Sequence, residues 1–160
     1  GAGNAASATS TAAFNAGVSG FLHQSGDEAL NSVTLHEAYF GNLGGSGRPS
    51  GPLATALGPG WEQSFRATAN SLGGGSGWAC VALSLGTSEL VTNSWGGNHT
   101  QFLAGAVPLL VLDMYEHAYT LDYGAAAAKY VDAFFANLKW EELEHRYELA
   151  KAAARALRSA

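Results

Sequence analysis

The sequence predicts an α+β domain, a three-stranded antiparallel sheet with helices before and after it. Three observations lead to this. Apolar residues recur at helical spacing in the segments 27–43 and 61–72. From Trp78 the period changes to that of short strands, and Gly86-Thr87-Ser88 separates two of them. Beyond residue 125 helical spacing returns, now rich in charge. Helices, then strands, then helices describes a segregated α+β arrangement rather than an alternating α/β one.

Residues 1–20, "GAGNAASATSTAAFNAGVSG", are small and polar, with almost no core-forming side chains, and read as a flexible arm or the remnant of a processed leader. They hold no Arg or Lys, so they are not an intact transit peptide. In "DEALNSVTLHEAYFGNL", Leu30, Val33, Leu35, Tyr39, Phe40 and Leu43 have a broadly helical spacing. Asp27 and Glu28 suit the N-terminus of that helix, and Gly44-Gly45 stop it. "GGSGRPSGP" over 44–52 reads as a loop, and Trp61 to Leu72 as a second helix ended by glycines. Trp78 to Leu85 and Glu89 to Asn93 are expected to be strands. Val107 to Leu112 is a third, apolar throughout and expected to be buried on both faces. Two helical segments, near 125–137 and 141–157, complete the chain, and there is no internal repeat.

Composition narrows the function. The chain has 160 residues, 47% of them hydrophobic, enough for a substantial core in one domain or two small lobes. A formal net charge of −5 argues against a nucleic-acid groove. Six of the eight basic residues fall between Lys129 and Arg158, interspersed with Glu141, Glu142, Glu144 and Glu148, which describes a solvated mixed-charge helix. Cys80 is the only cysteine, so no internal disulfide can form; cytoplasm and mitochondrial matrix both suit that. The longest apolar run, Phe102 to Leu112, is far short of the ~20 residues of a membrane span. Asn98-His99-Thr100 matches a glycosylation sequon, but no secretory signal accompanies it.

The glycine runs "GGSGRPSG" and "GGGSGW" lack the Lys-Ser/Thr of a phosphate loop and read as turns. No Gly-x-Ser-x-Gly elbow supports a serine hydrolase. The histidines say more. His145 stands among glutamates and is expected on the surface; His23 lies in a short polar segment and reads as a loop histidine. His36 sits between Leu35 and the Tyr39-Phe40 pair, and alone it reads as a satisfied core histidine. Asp113 ends an apolar strand and alone could cap the segment after it. His117, four residues on, can converge with it, and with His36 the set is two imidazoles and one carboxylate. That donor set suits a first-row metal such as iron or manganese.

At these residues the chain resembles a known family. "DMYEHAYTLDYG" is similar to the Asp-x-Trp-Glu-His-Ala-Tyr signature of the iron/manganese superoxide dismutases. "NSVTLHEAYFGNLGG", "GSGWACVALS", "NHTQFLAGAVPLLVLD" and "AKYVDAFFANLKWEELEHR" resemble, in order, the family's second helix, sheet start, strand into the signature and terminal helices. The resemblance covers roughly residues 28 to 150. Beyond the flexible arm over 1–20, it implies a remnant of the helical N-terminal domain over 21–72 and an α/β C-terminal dismutase domain over 73–160.

Carried over by position, His36, Asp113 and His117 correspond to three of the family's four protein ligands to one iron or manganese ion. His99 falls where the family places an outer-shell Gln or His that hydrogen-bonds the metal's solvent. Trp78 and Tyr115 would line the pocket, with Tyr115 where many members have Trp. Glu116 corresponds to a residue that reaches the partner's ligating histidine in family dimers, and Tyr119 would buttress the same region. Phe40 replaces another frequent Trp, and Thr120 a Tyr of the gateway. The family's first helix, with its His-His-x-x-x-Tyr type motif, is expected to be absent. Only 35 residues precede His36, with one histidine and no tyrosine among them. Without that helix, the face of the second helix carrying Leu35, Tyr39 and Leu43 would lose its cover.

Three functions are therefore expected as alternatives. The first is an antioxidant oxidoreductase that dismutes superoxide, as a homodimer. The second is a dismutase-like structural subunit of a larger assembly, without activity, because one ligand is missing. The third is other non-haem iron chemistry on two histidines and a carboxylate, as in an oxygenase.

Overall fold

A computed structural model describes residues 26–95, 99 and 103–159, with the side chains of 93–95 excepted. The arm expected over 1–20, His23, and the Asn98 and Thr100 of the sequon lie outside these residues. The elements are α1 (26–41), α2 (Gly51–Leu57), α3 (Trp61–Ser71), β1 (Trp78–Ser84), β2 (Leu90–Trp95), β3 (Ala106–Asp113), a 3-10 turn (Glu116–Ala118), α4 (Thr120–Tyr123), α5 (Ala127–Ala136) and α6 (Trp140–Arg158). The three strands form an antiparallel sheet in the order β2-β1-β3, so the fold is α+β as the sequence predicts.

β1 is the central strand and is buried from Trp78 to Leu83, which is why it reads as a continuous apolar run rather than an alternating one. β3 is buried only from Leu109 onward; Ala106, Val107 and Pro108 are half-buried. A register shift between Val81 and Ala82 accommodates the β1–β3 pairing there. At the other end Trp78 stands opposite Asp113, so the sheet delivers an indole and a carboxylate to the same edge.

α1 buries Leu35 and Tyr39, four residues apart, against the core formed with α5 and the sheet. The expectation for this helix needs correction. Leu35 (0% exposed) and Tyr39 (8%) are covered by this chain's own residues and Leu43 is half-buried, whereas Leu30, Val33 and Phe40 are exposed. The reason is rotational: the i, i+4 pair that faces the sheet leaves the other apolar stripe pointing outward.

The C-terminal end of α1 is tied in tightly. Asn42, fully buried, donates from Nδ2 to the Val111 carbonyl at 2.7 Å. Its Oδ1 accepts from Arg146 Nη1 at 2.7 Å, and the same guanidinium reaches the Ala38 and Leu109 carbonyls. One arginine thus links α1, β3 and α6. Gly45 N donates to the Asn137 carbonyl at 3.0 Å, and a Cβ at Gly45 would lie 2.2 Å from the Leu138 carbonyl oxygen, so only glycine permits this approach.

α2 falls partly within a stretch that reads as a loop. The overlooked signal is Pro52 in the first turn, with Leu53 and Leu57 next at i, i+4 spacing. What completes the helix is tertiary: Glu144 Oε2 on α6 accepts from Leu53 N at 2.9 Å.

Candidate metal centre

Three elements converge at the end of β3. Asp113, its last residue, is 1% exposed, and the chain has to bring a carboxylate into a nearly dry site. Such a group demands partners. Oδ1 accepts from Tyr115 N at 2.9 Å, which fixes the carboxylate plane. Oδ2 lies 2.9 Å from His117 Nε2 and 3.5 Å from His36 Nε2. One donor atom from each of His36, Asp113 and His117 falls within 4.8 Å of the other two.

The tautomer of His36 is set by its helix. Its Nδ1 lies 2.8 Å from the Ser32 carbonyl, one turn back, and a carbonyl only accepts. A proton therefore sits on Nδ1, and Nε2 is the nitrogen that faces the carboxylate. At 3.5 Å from Oδ2, Nε2 is matched to the carboxylate by a proton of its own or by a cation between the two. The donor set thus fits a metal ion: two imidazole nitrogens and one carboxylate oxygen, with His36 already oriented by a backbone acceptor. His117, on the 3-10 turn, is 59% exposed along its side chain, so the centre is open to solvent on that side.

Aromatic rings wall the centre. Tyr115 stacks between His99 (5.2 Å between centroids, 24°) and His117 (5.5 Å, 14°). The Tyr115 hydroxyl is buried and has no hydrogen-bond partner among the described residues. Trp78 meets His36 edge-on at 4.9 Å. Its Nε1 donates to His99 Nδ1 at 2.9 Å, so Nδ1 is unprotonated and the neutral ring carries its proton on Nε2. His99 has φ 53°, in the left-handed region, and its carbonyl accepts from Asn31 Nδ2 at 2.9 Å. Burial, reinforced by the nearby His36, pushes the His99 pKa down from 6.5.

The remaining candidates are placed differently. Glu116 is exposed on the 3-10 turn beside His117. Tyr119 is buried, but its hydroxyl accepts from Gly74 N at 3.1 Å, so it braces the glycine loop and stacks on Tyr130 at 5.3 Å rather than facing the ligating atoms. His145 is exposed on α6.

Sequence reasoning missed two contributors. Ser32, whose carbonyl orients His36, is legible as an i−4 neighbour on the same helix face. Tyr130 on α5 donates its hydroxyl to the Asp113 carbonyl at 2.8 Å and meets the Tyr39 hydroxyl at 3.0 Å. Nothing in the local pattern around Tyr130 signals this contact across 17 residues.

Comparison with known proteins adds to this picture. The model of the C-terminal domain of iron/manganese superoxide dismutases matches residues 59–146. The chain is 45% identical over 128 residues to an iron superoxide dismutase of Cupriavidus metallidurans, an alignment covering 76% of this chain and 64% of that protein. It is 37% identical over 143 residues to the iron superoxide dismutase of Aquifex aeolicus, covering 82% of this chain and 65% of that protein. With a manganese superoxide dismutase of Mycobacterium avium it shares 34% identity over 136 residues, covering 80% of this chain and 65% of that protein. The chain spans just under two thirds of the length of these curated relatives.

Proposed function

The chain belongs to the iron/manganese superoxide dismutase family, and on that premise we propose that it holds one iron or manganese ion on His36, Asp113 and His117 and dismutes superoxide to oxygen and hydrogen peroxide. The observation that carries this reading is the convergence of three donor atoms at a carboxylate that is 1% exposed, with His36 Nε2 turned inward by the bond of Nδ1 to the Ser32 carbonyl. When bound, the ion supplies the one-electron couple by which one superoxide leaves as oxygen and a second as peroxide.

The chain's own residues have separable roles in this reading. Asp113 contributes the negative charge that offsets the cation, held in one plane by Tyr115 N. His36 and His117 contribute neutral nitrogens beside the same carboxylate oxygen. His99, held by Trp78, keeps a proton on Nε2 and offers it as a hydrogen-bond donor to solvent in the pocket. The open side at His117 is the approach for a small anion. The exposed Glu116 next to it suits a contact with a second copy of the chain, and Glu116→Ala should then weaken self-association in sedimentation.

His117→Ala should abolish stoichiometric iron or manganese, read by elemental analysis per polypeptide; unchanged metal content would overturn the assignment. A second reading is favoured by the donor count, three among the described residues. It is a dismutase-like subunit that does not turn over. Metal bound at one ion per chain without dismutase activity would select it over the first.

A further inference from the structure

His36 and Asp113 sit on different elements, so their separation depends on how α1 is held against the end of β3. The carbonyl of Asp113 is met by the Tyr130 hydroxyl of α5 at 2.8 Å. A carbonyl only accepts, so the single Tyr130 proton goes there. The Tyr39 hydroxyl, 3.0 Å away, completes the pair. Tyr39 is three residues beyond His36 on α1. Both rings are buried, at 8% and 5% exposure, and each packs on another aromatic: Tyr39 on Phe134 at 6.1 Å, Tyr130 on Tyr119 at 5.3 Å. Bulk water cannot readily replace these hydrogen bonds, and the contact is a fixed tie.

We infer that Tyr39 and Tyr130 are positioning residues for the metal centre, a two-phenol clamp that sets the distance from His36 on α1 to Asp113 on β3. The inference rests on the proposed metal site. Neither phenol is a ligand. Tyr130 acts on the backbone of the carboxylate residue, and Tyr39 carries the restraint one turn along α1 to the imidazole. The Asn42–Arg146 link also ties α1 to β3, and through the Ala38 carbonyl it comes within two residues of His36, but it meets β3 at Leu109 and Val111, before Asp113. The tyrosine pair meets the backbone of Asp113 itself and so acts on the carboxylate side of the 3.5 Å gap most directly.

The test compares Tyr130→Phe with Tyr119→Phe. The second removes a similarly buried hydroxyl whose bond is to Gly74 N, while the Phe ring keeps the stack on Tyr130. In competition with a chelator, iron-loaded Tyr130→Phe should bind the metal about 10–100-fold more weakly than the parent, the usual effect of removing an outer-shell partner, and Tyr119→Phe should match the parent. The metal-free proteins give a readout independent of loading. The rings of His36 and His117 lie stacked with centroids 5.8 Å apart, so their protons should show a cross-relaxation peak by NMR. That peak should persist in the parent and in Tyr119→Phe and be lost in Tyr130→Phe. If Tyr130→Phe does not fold, Tyr39→Phe, which leaves the Asp113 bond in place, should lose the same peak. A parent that binds no iron or manganese would overturn the metal site, and the clamp would then stand or fall on the peak alone. Equal affinity in both variants with the peak retained would overturn the clamp.

Discussion

Replacing Asp113 by Asn separates a metal ligand from a structural ion pair, because the two roles predict opposite effects. The amide has nearly the shape of the carboxylate. Tyr115 N donates to Oδ1, so the amide oxygen takes that place and the NH2 group faces His36 Nε2 and His117 Nε2. An amide nitrogen is no ligand, and the negative charge is gone. Losing a ligand should exceed the 10–100-fold effect of losing an outer-shell partner, so metal affinity should fall at least about 100-fold, roughly 2.7 kcal/mol. The metal-free protein should behave differently. Its buried carboxylate, 1% exposed, gives way to a neutral donor facing two imidazole nitrogens. One exchanged hydrogen bond is worth about 1 kcal/mol and the relieved desolvation offsets it, so the apo melting temperature should stay the same or rise by about 2–4 °C. The assay pairs chelator competition on the loaded protein with thermal unfolding of the apoprotein. Undiminished metal binding would refute the ligand role. A fall in apo melting temperature of more than about 8 °C would show that the carboxylate is there to pair with His117 rather than to bind a cation.

Other expectations are independent of metal. The depressed pKa of His99 means that, between its folded value and the unfolded value near 6.5, the unfolded chain binds more protons. Apoprotein stability should therefore fall as pH drops below about 6.5 and level off once His99 is protonated in the folded state. Urea midpoints against pH should show a shallower fall for His99→Gln; identical slopes would contradict it. Arg146→Lys keeps the charge but loses the planar fork that serves the Ala38 and Leu109 carbonyls and Asn42 Oδ1, and should lower stability by roughly 2–3 kcal/mol, or about 5–10 °C in melting temperature. A drop of under about 2 °C would show that the link between α1, β3 and α6 is redundant. Gly45→Ala places a Cβ against the backbone of Leu138 and Lys139, which cannot yield as a side chain would, and should cost at least about 2 kcal/mol by urea titration. Gly86→Ala, with open space at the added methyl, is the control and should be near neutral.

Much of the architecture is legible in the sequence because local pattern and tertiary role agree. The switch from helical to strand spacing at Trp78 marks the sheet, since a central strand buried on both faces admits only apolar residues. Gly44-Gly45 marks the end of α1 because Gly44 takes a φ of 93° and the backbone approach at Gly45 leaves no room for a side chain. His36, Asp113 and His117 stand out as a donor set from residue type and spacing. The start of α2 is legible only in part: Pro52 marks its first turn, but the acceptor that completes that turn is Glu144, 91 residues away. The outward stripe of Leu30, Val33 and Phe40 escapes local reading for a related reason: spacing says that a helix has apolar residues but not which of two stripes meets the sheet. The sequence by itself determined the fold class and the chemistry of the candidate donors, since both depend on side-chain type and local period. The tertiary structure alone decided how closely His36 approaches Asp113, how His99 is held, and that two phenols tie α1 to the end of β3. Those are distances between groups far apart in the chain, and only the packed core sets them.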